Sequence, residues 1–232
     1  MKAMLIQPLY FPWIGLFDMM DQCDLFIFYD DAQYSKGGWQ SRNRIKSYNG
    51  VRWLSVGIDR SYRLGEKISA VKVNHAAGWV EKNLNQLEES YREAAYFSQY
   101  YPVVSEFMNS KFDRLIDYSA GSIRLMAGIL GLKTKMMFSS EFNILGSRGS
   151  QKVVDICLAS GADTYLDGAT GKDLYDPDFF SNRGINIYFH EYSHPVYRQL
   201  YGEFVSHLSV LDLLFNEGER SMEIIRRGRH AR

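Results

Sequence analysis

The chain has 232 residues, 46% of them hydrophobic and 23% charged, which is enough for a full core and argues against a largely disordered protein. Basic and acidic residues number 27 each, so the formal net charge is zero and the overall basic excess of a general nucleic-acid binder is missing. No apolar run approaches the ~20 residues of a membrane span, the opening stretch meets Gln7-Pro8 too soon for a signal peptide, and Cys23 and Cys157 alone make no disulfide framework or Cys-rich zinc pattern.

These features point to the cytoplasm, with no nucleic-acid or membrane partner and no metal. In chain order, Ala3–Gln7 reads as a short buried strand ended by Pro8 and Pro12. Trp13, Leu16, Phe17 and Met20 then fall at helical spacing over 13–23. The run Asp24–Tyr29 is a second buried strand, so the opening predicts a βαβ unit with a parallel pair. Residues 30–46 are polar and carry glycine, which predicts a loop. Partial alternation predicts strands over 51–58 and 68–74.

Apolar stripes predict helices over 79–91 and 103–109, the latter beginning after Pro102, and a third from about 112 to 130 stopped by Gly131. The α/β rhythm returns with strands over 134–139, 164–166 and 185–189. Helices are expected over 150–160, 205–215 and 221–227, with Ser209 and Asp212 as caps of the second of these and a basic, frayed tail. The fold expected is α/β, a mainly parallel sheet with flanking helices and a helical insertion. Residues 1–76 and 132–232 would form the α/β core and 77–131 a helical subdomain.

Aromatic residues make up 15% of the chain, and Tyr and Trp suit a wet pocket that binds rings as well as they suit a core. Three segments carry candidate chemistry. Gln7-Pro8-Leu9-Tyr10-Phe11-Pro12-Trp13-Ile14-Gly15 lies between the first strand and the first helix, where open parallel sheets bind ligands. Asp30-Asp31-Ala32-Gln33-Tyr34 follows the second strand and leads through Trp39 to Arg42-Asn43-Arg44. Arginine forks suit phosphate, and the acidic pair could bind sugar hydroxyls or accept a proton; equally, Asp30 and Asp31 could pair with Arg42 and Arg44 as a structural network. Ser193-His194-Pro195-Val196-Tyr197-Arg198-Gln199 places a histidine on a loop near a strand end, a setting for a general base. Gly146-Ser147-Arg148-Gly149-Ser150 opens a helix and could hold an anion. Gly168-Ala169-Thr170-Gly171-Lys172 is too short for a phosphate loop, and neither a G-x-G-x-x-G fingerprint nor a G-x-S-x-G elbow is present.

The runs QPLYFPWIGLF, FYDDAQYSKGGW and SRNRIK, followed late in the chain by HPVYRQLYGEF and HLSVLDLLFNEG, closely resemble the WbqC-like family over nearly the whole chain. That family occurs in bacterial O-antigen and related surface-glycan gene clusters. The resemblance implies modification of a nucleotide-activated sugar and supplies no catalytic residue. By position alone it marks Gln7, Tyr10, Asp30, Asp31, Gln33, Arg42, Asn43, Arg44, Tyr197 and Gln199 as site candidates.

Together these readings predict a transferase that adds an acyl or aminoacyl group to the amine of a nucleotide-linked sugar for lipopolysaccharide synthesis. Arg42 and Arg44 would hold the diphosphate, and Tyr10, Trp13, Tyr34 or Trp39 would stack on base or sugar. His194 or Asp31 would take the amine proton during attack on a thioester. The donor is open between an acyl-CoA and an acyl-carrier thioester, which would make an acyl carrier protein a partner. The alternatives are a nucleotidylyltransferase, although Trp13-Ile14-Gly15-Leu16 stands where its H-x-G-H signature belongs, and a noncatalytic sugar-nucleotide-binding module.

Overall fold

The alternation of apolar residues in the first strand decides the architecture. In β1 (Lys2–Ile6) Ala3 and Leu5 face one apolar cluster and Met4 the other. In β2 (Leu25–Phe28) Leu25 and Ile27 face the first side and Phe26 and Phe28 the second. A sheet buried on both faces needs helices on both. The computed structural model, which describes residues 1–230, has them.

β1 pairs in parallel with β2 from Ala3↔Leu25 to Ile6↔Phe28, after the crossover helix α1 (Ile14–Asp21). Next in the chain comes an antiparallel hairpin, β3 (Arg42–Ser47) and β4 (Gly50–Ser55), which stands apart from the main sheet. Helices α2 (Trp79–Tyr91), α3 (Phe97–Met108) and α4 (Leu115–Ile129) follow. The parallel sheet resumes with β5 (Lys135–Phe138), α5 (Gly149–Ser160), β6 (Thr164–Asp167), α6 (Pro177–Ser181) and β7 (Asn186–Phe189), and the chain closes with α7 (Val210–Glu217) and α8 (Ser221–Arg227). The strand order is β5-β2-β1-β6-β7, all parallel. The winding reverses between β1 and β6, and in such sheets ligands gather outside the carboxyl ends of the strands.

The α/β architecture is as expected, with local corrections. Residues 42–47 form a strand, not a loop, because the polar ends of Asn43 and Lys46 find buried partners. The segment 68–74 is no strand. Ile68–Ala70 is a 3-10 turn that buries Ile68 and Val71, and the stretch that follows hydrogen-bonds to the start of α4 through Val73 and Leu115. α3 begins at Phe97 and carries Pro102 inside it. The helix predicted from 205 starts at Val210, capped by Ser209, whose hydroxyl accepts from the Leu211 N–H. Leu87, Val104 and Ile123 of α2–α4 share one apolar cluster with Met4 and Phe26 of the sheet.

The tail is not frayed up to residue 230. Arg226 pairs with Asp21, and Arg229 with Asp21 and the fully buried Asp18, which also meets His190 Nε2 at 2.7 Å. Residues 231 and 232 of that tail lie outside the described residues.

Candidate functional site

The hairpin presents its outer face as alternating arginine and tryptophan. Residues 42 and 44 of β3 point the same way because strand side chains repeat every second residue, and Arg44 lies opposite Trp53 of β4. The Arg42 guanidinium sits 4.1 Å from the centre of the Trp53 ring, Trp53 packs against Trp39 at 5.4 Å, and the Arg44 guanidinium lies 5.6 Å from Trp39. Both tryptophans are exposed. Arg44 Nη2 donates to the His207 carbonyl at 3.1 Å, whereas Arg42 makes no hydrogen bond. Nε of each arginine is buried without a partner, and among the described residues no carboxylate neutralises either guanidinium. The alternative in which Asp30 and Asp31 pair with these arginines as a structural network is therefore not the one the fold adopts.

Beside Arg44 opens a cavity of about 230 Å³, lined by Leu9, Pro12, Trp13, Trp39, Asn43, Arg44 and His207. Three connections hold it together. The Asn43 amide donates to the Phe11 carbonyl at 2.7 Å and fixes the loop after β1, in which Phe11 takes φ 40°. The Ser209 N–H donates to the Arg44 carbonyl, and the Val210 N–H to the Pro12 carbonyl. The start of α7, the hairpin and the proline loop thus close on one another. Gly15 lets the Trp13 indole fold back over α1, since a Cβ there would stand 2.1 Å from the ring. Gly15→Ala is expected to push Trp13 out of the cavity wall. A red shift of tryptophan emission, absent in a Gly15→Ala/Trp13→Phe double variant, checks this.

His194 stands behind this wall. Its ring stacks on Trp13 at 6.3 Å and packs against His207 at 5.0 Å. Nδ1 lies 3.0 Å from the Pro195 carbonyl, so Nδ1 carries the proton and Nε2 the lone pair, and Nε2 is buried without a partner. Burial lowers the pKa of the ring below 6.5, against the Pro195 hydrogen bond and aided by the nearby His207, so it is neutral at pH 7. His207, which lines the cavity and stacks on Trp13 at 5.2 Å, was not among the expected site residues. It occupies the left-handed region at φ 58°, a conformation costly for a residue with a side chain and often found at functional sites.

The other expected residues are dispersed. Tyr10 is wholly buried in the core, with its hydroxyl pKa raised by desolvation, and Tyr34 is buried against Tyr62, so neither offers a face to a ligand. Gln7 is exposed and accepts from Gln40 Nε2 at 2.6 Å. Asp30 is buried and accepts from Ser139 Oγ, Ser140 Oγ and the Ser140 N–H, joining the ends of β2 and β5. Asp31 pairs with Lys152 and, with Gln33, lines a different cleft. Desolvation raises the Asp31 carboxyl, but Lys152 and Ser139 outweigh it and its pKa falls below 3.8, which makes it a weak base.

Tyr197 and Gln199 hydrogen-bond to Asp212, which is no helix cap but the buried acceptor of three donors. Both cysteines are buried, their thiols pushed up to about 12 by desolvation. Among the described residues no group of three or more His, Cys, Asp or Glu side chains gathers in a metal-binding arrangement, and no helix is long and apolar enough to cross a membrane.

The sequence profile of the WbqC-like protein family matches residues 7–224. The chain belongs to the WbqC-like protein family. It is also 28% identical, over 97% of each chain, to the Mycobacterium tuberculosis (strain ATCC 25618 / H37Rv) protein named "Uncharacterized protein Rv1507c". No solved structure matches. In this WbqC-like chain the matched span includes the proline loop, the arginine–tryptophan hairpin and both histidines of the cavity wall.

Proposed function

We propose that this WbqC-like protein is a transferase that modifies a nucleotide-activated amino sugar for bacterial surface-polysaccharide assembly, acylating or aminoacylating the sugar amine. The observation that carries the reading is the pair of guanidinium groups, Arg42 and Arg44, that stand without carboxylate partners against exposed tryptophans on one face of the hairpin, Arg44 lining the cavity beside it. A diphosphate supplies the missing counter-charge, and bidentate Arg–phosphate contact is strong and directional. Trp13 and Trp39 offer apolar faces to the sugar or base.

In the chemical step the amine nitrogen attacks the thioester carbonyl carbon, the C–S bond breaks, the thiolate leaves and the amine loses a proton. A neutral His194 is the base in this reading, and no covalent enzyme intermediate is involved. Because Nε2 is covered, substrate must displace Trp13 or His207 to reach it. A CoA or carrier-protein thioester fills the donor role.

Calorimetry against UDP-, dTDP- and GDP-linked amino sugars tests the binding, with micromolar affinity expected for at least one. Mass spectrometry after incubation with acyl-CoA donors tests the chemistry, with an enzyme-dependent gain of one acyl mass expected. Because the base must be unprotonated, the rate should fall as pH drops through a value below 6.5, the direction of the His194 shift. That acid limb should vanish in the residual activity of His194→Gln. No binding by any member of the panel would sink the whole reading.

A second reading, a noncatalytic sugar-nucleotide binder, draws on the covered Nε2 and the two inert thiols. It predicts binding with no mass gain from any donor.

A further inference from the structure

A second, larger cleft of about 580 Å³ opens at the carboxyl ends of β2 and β5. Its walls come from three places: Tyr29, Asp31, Ala32 and Gln33 after β2, Gly65 and Lys67 from the loop that follows the hairpin, and residues 144–149 with Lys152 at the start of α5. Three cations converge on it, Lys67, Arg148 and Lys152, against a single carboxylate, Asp31. Lys152 is largely buried, paired with Asp31, and lies 5.2 Å from the centre of the Tyr29 ring. Lys67 and Arg148 have no ion-pair partner among the described residues. Lys67 is held in place by backbone bonds, since the Tyr34 N–H donates to the Glu66 carbonyl and the Ile68 N–H to the Ala32 carbonyl. Ser147 Oγ lines the same cleft and is buried without a partner.

The backbone adds to the positive field. The first turn of α5 has no acidic residue, and its N-cap, Arg148, makes no side-chain cap. Gly146 and Gly149 take φ 82° and 52°, conformations that suit glycine and let the chain turn tightly around the opening. Uncapped N–H groups at a helix start favour an anion. Here they reinforce side-chain cations that already exceed the acidic charge, over a space large enough for a small molecule.

We propose that this cleft binds a phosphate-bearing small molecule through its phosphate group, with Arg148, Lys67 and Lys152 as charge partners and Ser147 Oγ as a hydrogen-bond donor. This anion site is distinct from the arginine hairpin and does not depend on what the hairpin binds. Asp31 is the internal competitor for Lys152, so phosphate entering the cleft takes over a contact that the carboxylate now holds. Asp31 and Gln33, marked by the family resemblance, both line this cleft.

The test is titration of the full chain with inorganic phosphate and pyrophosphate at low salt, followed by calorimetry and phosphorus NMR. Saturable binding that survives Arg42→Ala is expected. Arg148→Ala and Lys67→Ala, both at exposed positions, should each weaken it by about tenfold or more, the loss of one charge-assisted contact. Asp31→Asn should tighten it, because Lys152 is released. Thermal melts confirm that each variant is folded.

Weaker binding in Asp31→Asn, in a protein that melts like wild type, would mean that the carboxylate itself holds the ligand and would overturn the proposal. So would the absence of saturable binding, or phosphate binding that falls in Arg42→Ala and not in Arg148→Ala. The last result would leave the hairpin reading standing, whereas failure of the nucleotide-sugar panel would leave this site untouched.

Discussion

The double variant Arg42→Ala/Arg44→Ala is expected to lose at least a hundredfold in affinity for whichever nucleotide sugar binds the wild-type chain. Hydrogen bonds to charged groups contribute about 1.5–3 kcal/mol each, and 1.4 kcal/mol corresponds to about tenfold. Arg42 uses none of its donors within the protein, and Arg44 uses one, toward His207. Removing them therefore deprives few protein groups of a partner, and the fold should survive, with a modest loss where Arg42 packs on Trp53. Arg42→Lys separates charge from shape: it keeps the charge but not the planar fork, and should recover only part of the affinity. The salt dependence of binding should flatten in the double variant as two phosphate contacts disappear. Affinity of the double variant within threefold of wild type would remove the hairpin from the site.

The reasons this hairpin is hard to see in the sequence are physical. Arg-Asn-Arg-Ile-Lys-Ser violates the ordinary strand alternation, because Asn43 and Lys46 are buried while residue 44 is only partly covered. Their polar ends are satisfied by Phe11 and by Gln199, the latter more than 150 positions away in the chain. No local window contains that information. By contrast, β1 and β2 are legible as short continuous apolar runs, buried on both faces, and α1 by the helical spacing of Trp13, Leu16, Phe17 and Met20.

The site divides in the same way. Trp13, Trp39 and Arg44 were marked by residue type and Asn43 by the family resemblance, and the fold brings them into one cavity wall. His207 carried no signal. It becomes a wall residue only because the Ser209 and Val210 N–H groups bond to Arg44 and Pro12, which swings the preceding loop over Trp13. Asp31 was legible as a functional type, but its placement was not. Lys152, which captures it, lies on α5, the helix between β5 and β6, 121 positions further along the chain.

Asp212→Ala should destabilise the protein more than any other single substitution considered. The carboxylate accepts from Tyr91 Oη at 2.8 Å, Tyr197 Oη at 2.8 Å and Gln199 Nε2 at 2.7 Å, and is fully buried. Tyr91 Oη in turn accepts from the Lys46 N–H at 3.0 Å, so the network reaches into β3. Alanine leaves two hydroxyls and an amide without their acceptor and the Lys46 ammonium without a nearby negative charge. Removing one partner of such a buried network costs about 3–5 kcal/mol, a large share of the roughly 5–15 kcal/mol that holds a domain together. The melting temperature should fall by about 6–20 °C.

Asp212→Asn keeps one good acceptor and should lose less. Burial raises the Asp212 pKa above 3.8 against the three donors that lower it. A raised folded-state value contributes stability below the unfolded pKa, and that contribution is lost as pH rises through the folded one. The advantage of wild type over Asp212→Asn should therefore shrink as pH climbs from about 4. A loss below about 1 kcal/mol in Asp212→Ala by urea denaturation would show that the network is not what holds this region.

The network also has a functional consequence. Tyr197 and Gln199 belong to the segment that runs from His194 to His207, and Gln199 ties that segment to itself through both bonds to Val205. Asp212 is thus the anchor that keeps both histidines against Trp13. In Tyr197→Phe, which removes one bond and leaves the ring packed, nucleotide-sugar affinity should fall by more than the modest loss of stability accounts for, because the loop forming the cavity wall loosens before the fold does.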